Sequence, residues 1–501
     1  MIFSSIEFIY LFLPPVLFGF LVLRHFKLEN AVIWWLIMAS LFFYMWWSPI
    51  HLLLLLGSVG ANFLIHRELL KTKSRPLLVL GITLNLLLLS IFKYADFLLG
   101  SFAAISGMDI PELGLILPLA ISFFTFQQIS FLCDTYKGNL VSCGFKEYVL
   151  FVTFFPQLIA GPIVLQKDTI PQFNLSSIDR RYSIKLVTGI TLFAIGLFKK
   201  IVLADAVAPV ANIAFGLADG GAAISMETAW VGALAYTFQI YFDFSGYCDM
   251  ALGLALMFGI RLPINFNSPY KSTSIVEFWR RWHITLSRFL RDYLYIPLGG
   301  NRSGLMGAKG NLAITMLLGG LWHGAGWNFV IWGGLHGAFL MVNHAWVAGS
   351  LSSYSKRFLG THLYTILSWG LTMACVVFAW VFFRAETFSG ALIMINAMFG
   401  LSGEVASSSW TETIPEASFV IMQLLAMVFI VIALPNSIDL TKKYNPVLQV
   451  KKELIENGPA YFRFTWNPGP RWAAVISGMA LVAIVQVYRL NDLTEFIYFN
   501  F

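Results

Sequence analysis

Apolar stretches approaching twenty residues recur along almost the whole of this chain. A hydrocarbon core about 30 Å thick is crossed by a helix of ~20 apolar residues. Each stretch is therefore a candidate span: 8–23, 32–47, 51–65, 77–92, 113–132, 148–165, 186–204, 228–244, 250–260, 312–346, 363–383, 419–434 and 472–487. Of 501 residues, 58% are hydrophobic and only 12% charged, against roughly a quarter charged in a soluble domain. The expected class is an all-α integral membrane protein, with roughly ten to thirteen full or partial crossings. The whole chain, 1–501, reads as a single polytopic membrane domain. The first stretch has no small-residue cleavage site and reads as a retained span.

Charge sets the expected orientation. Arg24-His25-Phe26-Lys27 follows the first stretch, and His66, Arg67, Lys71, Lys73 and Arg75 follow the third. The turn Trp47-Ser48-Pro49-Ile50 between them carries no ionised side chain. Basic loops lie on the cytoplasmic side, so the N-terminus is expected outside the cytoplasm, as in a multi-pass protein of the cell (inner) membrane. The same rule absorbs the net charge of +7, and no nucleic-acid partner is implied; membrane lipids are the expected surroundings. Cys133, Cys143, Cys248 and Cys375 lack metal-ligand or redox spacing and read mostly as small buried hydrophobes. No metal site is expected.

Some stretches are poor spans. Lys199 and Lys200 interrupt one apolar run, and Pro156 and Pro162 interrupt another. The stretch 263–270 is polar and contains proline. Irregular backbone at membrane depth survives only inside protein or beside a water-filled cavity. Re-entrant or half-buried helices around an internal chamber are therefore expected. The polar interval 441–470 reads as a loop.

Two regions carry the chemistry. In 275–295, Trp279, Trp282, Leu286, Phe289 and Tyr293 recur every three or four residues, giving one helical apolar stripe. Five arginines fall between Glu277 and Arg302, against the acids Glu277 and Asp292. The plain reading is an interfacial amphipathic helix. The functional one is that Arg280, Arg281 and Arg288, beside Trp279, hold the phosphates of a thioester donor. The second region, 311–346, is too long for one crossing and should break at Gly324-Ala325-Gly326. His323 immediately precedes that break, with Trp322 and Asn328 beside it. An ionisable group at this depth marks a pathway or a reaction centre. HExxH, Walker and GxGxxG signatures are absent, so the chemistry left to His323 is general base catalysis on an attacking hydroxyl. His336 and His344 read as structural. Asp243 and Asp249 lie in an apolar run and need a partner, such as an arginine; lining the reaction chamber is the alternative for Asp243.

The motifs 239–247, 278–287, 291–302 and Leu321-Trp322-His323-Gly324 resemble the membrane-bound O-acyltransferase family, most closely its bacterial alginate O-acetyltransferase subgroup. Residues 156–162 and the ending 496–501 resemble that subgroup too. The resemblance covers essentially the whole chain. It implies a multi-helix fold around a tunnel, with His323 as the catalytic histidine and His283 as the second motif histidine. It also implies an acyl relay from acetyl-CoA or an acyl carrier protein thioester to an extracytoplasmic acceptor, with no bound cofactor. A separate exported acetyltransferase would make the final transfer to polysaccharide. Similar proteins serve alginate, acetylated cellulose and peptidoglycan, and a more distant branch moves D-alanine onto teichoic acid. From the residues alone, a transporter or flippase of a lipid-linked saccharide and a non-enzymatic export scaffold remain alternatives.

Overall fold

The computed structural model describes residues 1–139, 143–173, 182–302, 304–401, 410–414, 416–448, 462, 464–489 and 496–497. Residues 449–461 and 463 of the interval 441–470, and 498–501 of the ending 496–501, lie outside the described residues. Among the described residues six helices are long and apolar enough to cross a membrane: Glu7–His25, Pro49–Thr72, Arg75–Ser106, Tyr182–Asp219, Thr361–Arg384 and Pro470–Arg489. A bent pair, Ala417–Ala433 with Ser437–Tyr444, makes a seventh if taken as one span. The protein is an all-α integral membrane protein. Leu53, Leu64, Val79, Leu87 and Ile366 are exposed on the outside of these helices, as lipid contact demands. Within the bundle lie helices too polar to qualify by composition, notably Met226–Met257, Gly304–His323 and Trp327–Ala348.

Local chemistry sets the helix starts. Pro49 and Pro76 occupy first-turn positions, where the missing N–H is harmless. The side chains of Ser74, Ser225 and Ser274 accept from Leu77 N, Thr228 N and Glu277 N, capping three helices.

The two ends of the bundle differ. At the basic end the Arg24 guanidinium lies 3.8 Å from the Tyr182 ring centroid, and the Tyr182 hydroxyl donates to Met257 O. At the opposite end Asp219 accepts from the backbone N–H groups of Glu386 and Thr387. The Tyr44 hydroxyl donates to Leu119 O there.

The Tyr182–Phe198 helix packs against Met226–Met257 at two glycine pairs. A Cβ on Gly196 would sit 2.5 Å from Gly246 O, and one on Gly253 would sit 2.5 Å from Gly189 O. Small residues let the two backbones touch, as is common between membrane helices. Gly196→Leu should therefore destabilise the protein by about 3 kcal/mol or more, at the top of the overpacking range. Gly57, which has no atom near its missing Cβ, should tolerate leucine. Thermal midpoints in detergent check both; equal midpoints for the two variants would refute the close approach.

Several sequence expectations change here. The runs 228–244 and 250–260 form one helix, Met226–Met257. Its two aspartates are paired with lysines rather than with an arginine. Lys200 Nζ lies 2.7 Å from Asp243 Oδ1 and 2.8 Å from Asp205 Oδ1, and Lys199 Nζ lies 2.6 Å from Asp249 Oδ2. A π-helical turn over Lys199–Ala204 carries both lysines, so an apparent interruption is a continuous crossing. The stretch 148–165 is not one long helix. It breaks into Phe145–Thr153 and Phe155–Leu158, followed by buried irregular chain, with Pro156 starting the second piece. Of the cysteines only Cys248 is buried; the other three are half-exposed.

Candidate active site

Two histidines meet at two helix breaks. The stripe over 275–295 is not one helix: it divides into Ile275–Arg281, Ile284–Leu290 and a π turn, Arg291–Tyr295. His283 is the joint, with φ 44° and ψ 53°. A left-handed non-glycine residue is uncommon, although histidine is among the more tolerant types. Such strain, on the order of 1–3 kcal/mol, persists only where surroundings enforce it. They do so through the buried chain at 265–267. Ile284 N donates to Asn265 O at 3.0 Å, Thr285 Oγ1 donates to Asn265 Oδ1 at 2.6 Å, and Asn267 N donates to Arg281 O at 3.0 Å. The imidazole of His283 is fully buried and packs edge-on against Phe244 at 4.9 Å.

His323 is the last residue of Gly304–His323, and Trp327–Ala348 begins just beyond Gly324-Ala325-Gly326. The break falls where the sequence places it. Gly320 faces Gly333 across the hairpin: a Cβ on Gly320 would lie 2.2 Å from Phe329 O, and one on Gly333 would lie 2.3 Å from Met316 O. The His323 ring is buried, with its centroid 6.3 Å from that of His283. Trp322, Trp332 and Phe383 pack around it at 5.0, 5.1 and 5.2 Å. Trp332 lies between His323 and His336, 4.8 Å from the latter. Among the described residues, the indole N–H groups of Trp322 and Trp332 have no hydrogen-bond acceptor. Buried donors without acceptors are rare in folded proteins.

A cavity of about 900 Å³ reaches this break from the opposite end of the bundle. Leu115, Glu386 and Phe388 line its exposed rim; Lys93, Gly324, Asn328 and Phe383 line its depth. The size suits a chamber for a small substrate or for one projecting residue of a larger one.

The remaining sequence candidates divide between this centre and its supports. Trp322 stacks on Phe126 at 5.2 Å beside both histidines. Asn328 lines the cavity and donates from Nδ2 to Ala385 O at 2.9 Å. Trp279 points instead to His336, donating to Nδ1 at 3.2 Å. Arg280 is exposed. Arg281 is buried against Glu277 and Asn267 O, at 3.0 Å each. Arg288 pairs with Asp168 at 2.5 Å. Asp243 lies in the Lys200 network and accepts from Ile497 N at 3.0 Å. Among the described residues no group of three or more His, Cys, Asp or Glu side chains is placed to hold a metal ion.

Lys93 was not a sequence candidate. The apolar run was closed at Phe92, which made Lys93 a flanking residue. In the structure the helix continues to Ser106, so Lys93 lies deep in the bundle.

A model of the membrane-bound O-acyltransferase family matches residues 135–385, which include both histidines. The peptidoglycan O-acetyltransferase of Helicobacter pylori is 44% identical over 434 residues, 80% of each chain. The chain belongs to the membrane-bound O-acyltransferase family. Other relatives of this acyltransferase include the probable alginate O-acetylase AlgI of Pseudomonas aeruginosa, 40% identical over 92% of this chain and 87% of the relative. The teichoic acid D-alanyltransferase of Streptococcus thermophilus is 32% identical over a shorter part, 46% of this chain and 57% of the relative. Family membership makes the protein an acyltransferase and sets aside the transporter and scaffold readings.

Proposed function

We propose that this acyltransferase relays an acetyl group from a cytoplasmic thioester to a hydroxyl on the far side of the cell membrane, for O-acetylation of an exported or cell-wall polysaccharide of the alginate or peptidoglycan kind. The observation that carries the reading is the juxtaposition of His283 and His323 at two helix breaks beside the deep end of the cavity. The acetyl reading is preferred to D-alanyl transfer because O-acetylating relatives match most of the chain and the D-alanyl relative less than half.

The proposed step balances without a cofactor. The acceptor oxygen bonds to the acyl carbon, the carbon–sulfur bond breaks, and the hydroxyl proton passes through His323 to the departing thiolate. His283 orients His323 or shares the proton. The donor, acetyl-CoA or an acyl carrier protein thioester, approaches from the basic end, where Arg280 and Arg288 attract its phosphates. Trp279 and the buried Arg281 hold the broken helix that presents them. Trp322 and Asn328 contact the reacting groups, and Asp243 fixes the surrounding helices. The positive-inside rule puts the basic end in the cytoplasm, with the N-terminus and the cavity mouth outside. The partner expected at that mouth is an exported acetyltransferase that completes delivery to the polymer.

Membrane vesicles supplied with cytosol and radiolabelled acetyl-CoA test the reading. Label should appear in alkali-labile esters on the side away from the thioester. Vesicles that move a labelled saccharide and form no ester would contradict it.

A further inference from the structure

The end of the helix that carries His323 is capped by another helix, far away in sequence. A helix leaves its last four carbonyls without intrahelical partners, and usually turns or water satisfy them. Here two adjacent residues of Arg75–Ser106 take over. Lys93 Nζ donates to Trp322 O at 2.6 Å, with His323 O at 3.4 Å and Ser122 Oγ at 3.2 Å. The Tyr94 hydroxyl donates to Leu321 O at 2.9 Å. The carbonyls of 321, 322 and 323 are thus all held from one neighbouring turn. An ammonium has three N–H donors and no acceptor, and these contacts use all three.

The placement is costly unless it has a purpose. Lys93 is 9% exposed, and among the described residues no carboxylate lies within ion-pair distance of it. What offsets the burial is the negative end of the helix dipole, aimed at the ammonium from less than one turn away. The Gly324-Ala325-Gly326 break leaves that helix end without a continuing chain to stiffen it. Lys93 also lines the cavity, so its charge sits on the acceptor side of His323. It lies outside the residues matched by the family model.

We infer that Lys93, with Tyr94, is a positioning residue for the acyl transfer: it clamps the carbonyl end of the His323 helix so that the imidazole is held towards His283 beside the cavity. Its N–H groups are committed to those carbonyls and to Ser122, so it acts through His323 and not on the reacting atoms. The inference rests on the acyl-transfer reading above. A misplacement of about 1 Å at a reacting group can lower rates by on the order of 10²-fold.

The test uses the host lacking its own copy of the gene, supplied with wild type, Lys93→Met, Lys93→Arg, Tyr94→Phe or His323→Ala at matched membrane levels. Two quantities are measured: the initial rate at which radiolabelled acetate enters esters on exported polymer, and the thermal midpoint of each purified protein. Lys93→Met should lower the rate about 10- to 100-fold at a midpoint near that of wild type. Lys93→Arg, which keeps a cationic donor, should recover most of it, and Tyr94→Phe should lose a few-fold. If Lys93→Met fails to accumulate, Tyr94→Phe and Lys93→Arg decide. A wild-type rate in Lys93→Met, or in Tyr94→Phe when Lys93→Met is absent, overturns the inference. So do rates in Lys93→Met and Lys93→Arg that fall equally and in step with their midpoints. If His323→Ala also labels polymer at the wild-type rate, the acyl-transfer reading itself fails, and not only the role of Lys93.

Discussion

Replacing His323 with alanine should lower acyl transfer by roughly 10²–10⁴-fold, the usual contribution of a positioned general base. The loss should fall on turnover and not on folding. The helix end that bears His323 is fixed through main-chain carbonyls held by Lys93 and Tyr94, and those contacts survive removal of the ring. The backbone crossing at Gly320 and Gly333 also survives. His323→Ala should therefore reach the membrane in normal amounts and melt near the wild-type temperature. Single-turnover measurement of ester formation in vesicles reads the rate directly. A variant that folds and still transfers at the wild-type rate would remove His323 from the mechanism. His283 should behave differently under substitution, because its left-handed backbone couples side-chain identity to local strain, so loss of rate and loss of stability would arrive together.

Lys200→Met should produce the largest loss of stability of any single substitution considered. Lys200 holds two carboxylates, Asp205 on the next turn of its own crossing and Asp243 on the Met226–Met257 helix. Removing one member of a buried ionic group leaves the others uncompensated, which costs about 3–5 kcal/mol. Here both acids are buried, and although Asp243 keeps the backbone N–H of Ile497, two carboxylates lose their shared cation at once. Lys199→Met should be milder. Its partner Asp249 keeps a hydrogen bond from Ser437 Oγ at 2.7 Å. Combining Lys200→Met with Asp205→Asn and Asp243→Asn should restore part of the loss, since the stranded charges are gone. Thermal midpoints and membrane abundance of the three variants test this order. A Lys200→Met protein as stable as wild type would mean that the network contributes nothing to the fold.

What could be read from the sequence follows from which signals are local. The helix break after His323 was legible because three small residues interrupt a run too long to cross once. The depth of His323 followed from the apolar chain around it. The break at His283 was not legible. Trp279, Trp282, Leu286 and Phe289 keep helical spacing straight through it, and the left-handed turn is imposed from a distance by Asn265 and Asn267. Lys199 and Lys200 looked like an interruption because their partners on the neighbouring helix, Asp249 and Asp243, lie some forty to fifty residues on. For the same reason Met226–Met257 looked like two segments: its polar middle is satisfied only once the other helix is beside it. Lys93 was missed because a lysine at the edge of an apolar run is ordinarily a flank. Only the contact with carbonyls some 230 residues away shows that it lies inside. Family resemblance supplied the chemistry that geometry alone leaves general, and the arginines sort only in three dimensions: Arg281 is buried against Glu277, Arg288 pairs with Asp168, and Arg280 is exposed.

The most direct test of the account is the O-acetyl content of the host's exported and cell-wall polysaccharides, compared between a deletion strain carrying the wild-type protein and one carrying His323→Ala at equal membrane levels. The account predicts that wild type restores O-acetyl esters to one polymer, which names the acceptor, and that His323→Ala restores essentially none. Full acetylation of that polymer by the His323→Ala protein would contradict it.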